Sequence, residues 1–200
     1  AGPAFEGGGI RWGMRAEEGA IEKITIDPDT LAPKFSVVGD VPPRGICGSG
    51  MIDLLSEMFL TGIIQPTGKF NIDDDHPRIV KDGDESAYLL AYANETSVDK
   101  DILFLESDID NLIRSKGAVY AGFKVLLNQM GMDFSMIERL IITGGFGQYL
   151  DLEKAVTIGL LPDIDRSKFQ YLGNSSIGGA YMALLSETYR KEAIDISNRM

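Results

Sequence analysis

Leu140-Ile141-Ile142-Thr143-Gly144-Gly145-Phe146-Gly147 decides how this chain is read. An apolar, β-branched run ends in three glycines within four residues. That is the pattern of a buried strand stopping at a turn where the backbone comes close to something. In open α/β sheets ligands sit beyond the carboxyl ends of strands, and a nucleotide is the ligand to expect there. The same glycines also suit a plain tight turn, so the stretch alone leaves both readings open.

Working outward, Asp101 to Gly131 carries the longest helical pattern. Ile109, Leu112, Val119, Tyr120, Phe123, Leu127 and Met130 recur on one apolar face, Ser107 with Asp110 forms a capping signature, and Gly131 ends the run. Gly117, Ala118, Ala121 and Gly122 form a patch of small residues. Arg114 and Lys116 near its middle either reach a neighbouring ligand or are solvated charges. On the other side, Leu152–Leu160 reads as a short helix stopped by Pro162, and Phe169–Leu172 as a strand. Asn174 caps a further helix with Gly178 and Gly179 in its first turns. Each glycine there costs about 1 kcal/mol against alanine, which implies that something approaches closely. Glu187 to Met200 reads as a charged tail without a core face.

Farther upstream, Ala20–Ile26 alternates as a half-buried strand, Asp27-Pro28-Asp29 is a turn, and Lys34–Val38 pairs back as an antiparallel hairpin. Arg44-Gly45-Ile46-Cys47-Gly48-Ser49-Gly50 then opens a helix with Met51, Leu54, Leu55, Met58 and Phe59 at helical spacing and Gly62 at the C-terminal end. Gly48, Ser49 and Gly50 at a helix N-terminus suit an anion. They suit equally well a helix that packs tightly on a sheet. Cys47 reads as a small buried apolar residue. Asp73-Asp74-Asp75-His76 is read as a polar loop in preference to a cation site, and Ala87–Ala93 as a strand. Ala1–Met14, with five glycines beside Phe5 and Trp12, is expected to be an ordered loop.

The 200 residues allow one domain, 1–200, with a real core, and strands interleaved with helices indicate α/β. A net charge of −11 argues against nucleic acid and anionic membrane as partners, so any bound phosphate must be held by backbone amides, helix N-termini and a metal cation. One cysteine and one histidine argue against a metal site built by this chain alone and fit a reducing, cytoplasmic setting. The opening Ala1-Gly2-Pro3, in mid-loop, gives the expectation of a fragment of a longer chain.

Taken together, Ala-Gly-Pro-Ala-Phe-Glu-Gly (1–7), Gly-Met-Arg-Ala (13–16), Gly-Ala-Ile-Glu (19–22), Arg-Gly-Ile-Cys-Gly-Ser-Gly (44–50), Ile-Thr-Gly-Gly-Phe-Gly (142–147) and Gly-Asn-Ser-Ser-Ile-Gly-Gly-Ala (173–180) resemble a known family. The chain is similar, from residue 1 to about 186, to the carboxyl-terminal half of the ATPase domain of reductive activators of corrinoid proteins. These belong to the acetate and sugar kinase, heat-shock chaperone and actin superfamily. The resemblance implies a ribonuclease H-like, actin-like ATPase subdomain, a mixed sheet with flanking helices, that closes over MgATP with another lobe. It places Gly144, Gly145 and Gly147, with Phe146 between them, on the superfamily's adenosine motif. Lys116 falls on a helix that flanks the adenosine, and the helix from Gly178 to Leu185 on the one that packs against the opposite lobe. The expected partners are a corrinoid protein, the amino-terminal ATPase lobe, a ferredoxin-like domain with a two-iron two-sulfur cluster, and a second copy in a homodimer. The expected activity returns inactive cob(II)amide to cob(I)amide at the expense of ATP. The family's Asp-x-Gly-Thr phosphate loops are not found in this sequence, so catalytic residues for hydrolysis are not assigned. The alternatives are another ATP-dependent enzyme of the superfamily, a small-molecule kinase or a dehydratase activator, and an interaction domain that no longer binds nucleotide.

Overall fold

The computed structural model describes residues 3–72 and 76–199. Asp73, Asp74 and Asp75, read above as a polar loop, lie outside the described residues. Where the sequence suggests one domain, the chain divides into two compact units. The first comprises residues up to Phe134 together with Leu150–Asp163, and the second Ser135–Tyr149 with Ile164–Met200.

The first unit opens with a loop fastened by its own backbone and by distant side chains. Gly9 O accepts from Asn111 Nδ2 at 2.9 Å, the Arg11 amide donates to Asp108 Oδ1 at 2.9 Å, and the Arg11 guanidinium pairs with Asp82. The alternation at residues 20–26 produces β1 (Ala20–Ile26), which buries Ala20, Ile21, Ile24 and Ile26. β2 (Pro33–Val37) pairs antiparallel with it, Ile24 opposite Phe35. On its other edge β1 meets β3 (Gly45–Ile46) in parallel, only at Ala20 and Ile21. α1 (Gly48–Leu60) then lies on β1, burying Met51, Leu54, Leu55 and Met58. Gly62, with φ +74°, takes the left-handed turn that ends it.

A second sheet has the order β4–β5–β6, from β4 (Ile79–Asp82), β5 (Glu85–Ala91) and β6 (Ile102–Leu105), all antiparallel. β6 corrects the sequence reading, which made Asp101 the start of a helix. Ile102 and Phe104 are fully buried against β5, and α2 (Glu106–Gln129) begins only after them. The first helical turn is capped by Asp108, whose carboxylate accepts from Leu105 N at 3.2 Å. Ser107 instead donates to Glu85 Oε2 at 2.8 Å. Along α2 only Asp108, Ile109 and Leu112 are buried, and the apolar face continues uncovered through Val125, Leu126 and Met130. α4 (Leu152–Thr157), capped by Asp151, returns to this unit and packs on α1.

In the second unit β7 (Leu140–Ile142) and β8 (Phe169–Tyr171) run parallel, Leu140 opposite Phe169 and Ile142 opposite Tyr171. Each strand leads into a helix: β7 into α3 (Gly144–Gln148) and β8 into α5 (Ser175–Leu185), with Asn174 Oδ1 accepting from Ile177 N at 3.2 Å as expected of a cap. Residues 187–197, read as a tail, form α6 (Glu187–Ser197), capped by Ser186 and supported by the Glu187–Lys191 pair at 2.9 Å. Among the described residues no helix is long and apolar enough to cross a membrane.

Candidate functional site

Two neighbouring parallel strands that both end in a glycine turn and a helix make the place where an α/β sheet presents backbone to a ligand. In the second unit the two turns are tied together: Gly144 N donates to Gly173 O at 2.8 Å, and Leu172 N donates to Ile142 O at 3.0 Å. Both Gly144, at φ +92°, and Gly173, at φ +66°, hold conformations that L side chains rarely adopt.

The three glycines of the motif have three different reasons to be glycine. Gly144 is required by its backbone angle. Gly147 is required by packing, since a Cβ there would stand 2.7 Å from Ile142 Cγ2. Gly145 has neither reason. Its backbone angle is ordinary, it is exposed, and a Cβ would meet nothing within 4 Å among the described residues. Among the described residues nothing in the fold accounts for glycine at this position, at the carboxyl end of a parallel strand. Phe146 lies between them on α3.

Gly48, Ser49 and Gly50 behave differently. All three are buried, and a Cβ at Gly50 would collide with the carbonyl oxygen of Ile21. Ser49 Oγ donates to Glu22 O at 3.0 Å, and Cys47 N donates to Ile21 O at 3.1 Å. Of the two roles open for this stretch, the geometry supports tight packing of α1 on β1. No phosphate role is carried forward for these residues. Cys47 is buried, as the sequence suggested, and donates its thiol to Ile21 O at 3.4 Å.

Below that contact the sequence reading missed a buried charge cluster. Past Ile21 no strand lies beside this edge of β1 among the described residues, and α1 supplies the partners. Asp53 Oδ2 accepts from Ile24 N at 3.0 Å and Glu57 Oε2 from Ile26 N at 2.9 Å. Lys154, arriving on α4, donates to Ile24 O at 2.6 Å and pairs with Asp53 at 3.1 Å and Glu57 at 3.3 Å. Burial, the largest influence, pushes the Asp53 carboxyl above its ordinary value, against the Ile24 amide and Lys154, which favour its ionised form. The sequence signal was available: an acid inside the buried run Met51-Ile52-Asp53-Leu54-Leu55, with Glu57 four residues on, needs a dedicated partner.

Lys116 belongs to the first unit, and the glycine turn to the second. It borders a cavity of about 110 Å³ walled by Leu55, Phe59, Ile64, Pro66, Ile113 and Ile158, with Gln65 and Thr157 as the other polar members. Burial lowers its pKa. Neither the Lys116 ammonium nor the Thr157 hydroxyl makes a hydrogen bond or ion pair among the described residues. No group of three or more His, Cys, Asp or Glu able to hold a metal ion occurs among the described residues, so Mg²⁺ is assigned no ligand here.

Comparison with known proteins gives this arrangement its setting. The profile of the family described as the C-terminal domain of RACo, the ASKHA domain, matches residues 1–200. The chain belongs to that family. A solved structure titled reductive activator for corrinoid, iron-sulfur protein superposes with a TM-score of 0.92 at 49% identity, covering 100% of this chain and 32% of that one. The corrinoid activation enzyme RamQ of Eubacterium limosum is 35% identical over 193 residues, 93% of this chain and 32% of the relative. A Methanosarcina barkeri protein, the [Co(II) methylated amine-specific corrinoid protein] reductase, is 24% identical over 225 residues, 100% of this chain and 37% of the relative. The chain thus spans about a third of the length of these relatives. The α/β ASKHA fold implied by the glycine motifs is the fold of this family.

Proposed function

We propose that this chain is the adenosine-binding part of an ATP-dependent reductive activator that returns the cob(II)amide of a corrinoid protein to cob(I)amide. The observation that carries the reading is Gly145, open on its Cβ side and set between the conformational Gly144 and the packed Gly147 at the end of β7. The names of the relatives supply the corrinoid partner. The one-electron reduction of cobalt needs a donor, for which a two-iron two-sulfur cluster in a ferredoxin-like domain of the longer protein is the group we assign. The chain's own part is to hold the nucleotide. The Gly144–Gly173 hydrogen bond fixes the two turns side by side, and the bare Gly145 backbone lets the adenosine lie against the turn. Binding energy spent differently in two conformations of the longer protein then shifts their populations, and with them the ease of electron delivery.

The test is a calorimetric titration of the full-length protein with ADP, with Gly145→Val alongside. Since a Cβ at this position meets nothing within 4 Å among the described residues, the substitution is expected to leave the thermal midpoint nearly unchanged and to weaken ADP at least about tenfold. ADP binding of equal strength in both proteins would remove Gly145 from the nucleotide site. Corrinoid reduction that proceeds equally without ATP would remove the coupling.

A further inference from the structure

The cavity beside Lys116 is built for something other than a polyphosphate. Its six apolar walls converge from four places: the last turns of α1, the loop that follows it, α2 and the end of α4. Into this surface the chain sets one ammonium and one hydroxyl. Gln65, the remaining polar member, spends its Nε2 on Asn71 Oδ1 at 3.2 Å. A half-buried cation with no counter-ion among the described residues is an unusual feature in a chain of net charge −11.

Charge, shape and size each narrow the ligand. One cation balances one negative charge, whereas a di- or triphosphate would bring several into an acidic chain. Largely apolar walls call for a largely apolar body with one polar end. An open cleft of about 110 Å³ suits a short hydrocarbon. We propose that this cleft binds a small amphipathic monocarboxylate, its carboxylate on Lys116 Nζ and the Thr157 hydroxyl and its hydrocarbon part against Leu55, Phe59 and Ile113. The proposal does not depend on the nucleotide reading.

Sodium hexanoate titrated into the full-length protein by calorimetry is the probe, with hexan-1-ol as its uncharged counterpart. Hexanoate is expected to bind at least about tenfold more tightly than hexanol, the worth of a hydrogen bond to a charged group. Lys116→Met should abolish that preference while hexanol is unaffected, and Phe59→Ala should weaken both ligands without altering their ratio. Equal binding of the two ligands, hexanoate binding unchanged in Lys116→Met, or no binding of either would overturn the proposal. So would displacement of hexanoate by ADP, which would give the cleft to the nucleotide.

Discussion

The two glycine turns of this chain look interchangeable in sequence and have opposite surroundings in the fold. At Gly48-Ser49-Gly50 every residue is buried and a methyl group on Gly50 would strike the backbone of β1. At Gly144–Gly147 the middle glycine faces open space, while its neighbours answer to a backbone angle and to Ile142. Glycine records that a side chain is not tolerated; it does not record whether the obstacle belongs to the protein or arrives from outside. The difference separates a packed helix seat from an open turn, where we propose the nucleotide lies, and it can be measured in stability.

The largest effect is expected where the packed turn is held from below. Lys154→Met would strand the buried carboxylate of Asp53 beside the partly buried one of Glu57 on the edge of β1, and should cost about 3 kcal/mol in urea unfolding. A loss below about 1 kcal/mol would mean that the cluster is solvated and that α1 is seated by apolar contact alone. Next, Gly50→Ala should cost about 2 kcal/mol, because the added methyl meets the Ile21 carbonyl, which cannot move without disturbing its hydrogen bond from Cys47 N. The smallest effect has the opposite sign. Gly145→Ala, in a helix with room around it, should leave stability unchanged or raise it by up to about 1 kcal/mol. If Gly50→Ala and Gly145→Ala proved equally costly, the contrast between the two turns would fail.

Local pattern carried much of the fold. The alternation of Ala20–Ile26, the apolar spacing of Met51, Leu54, Leu55 and Met58, and the cap at Asn174 were all legible, because each depends on neighbours within a few residues. Ile102–Leu105 was not. Its apolar residues run directly into those of α2, and only pairing with the distant β5 makes them a strand. The α6 segment was missed for the reverse reason: it is helical with no buried face at all, so hydrophobic periodicity had nothing to mark. Of the site, the glycines were visible, but not which of them was free. That needed the position of Ile21 for one turn and of Ile142 for the other. The cleft at Lys116 was equally hidden, since its walls come from segments as far apart as Leu55 and Ile158.

The carboxylates along β1 have a consequence for how the protein behaves in company. A strand edge with idle amides is a template on which another chain can grow. Here the amides of Ile24 and Ile26 are already occupied by Asp53 and Glu57, and the carbonyl of Ile24 by Lys154. This margin of the sheet is closed by side-chain chemistry where a further strand would otherwise close it. These bonds thereby guard this margin against pairing with the edge of another chain.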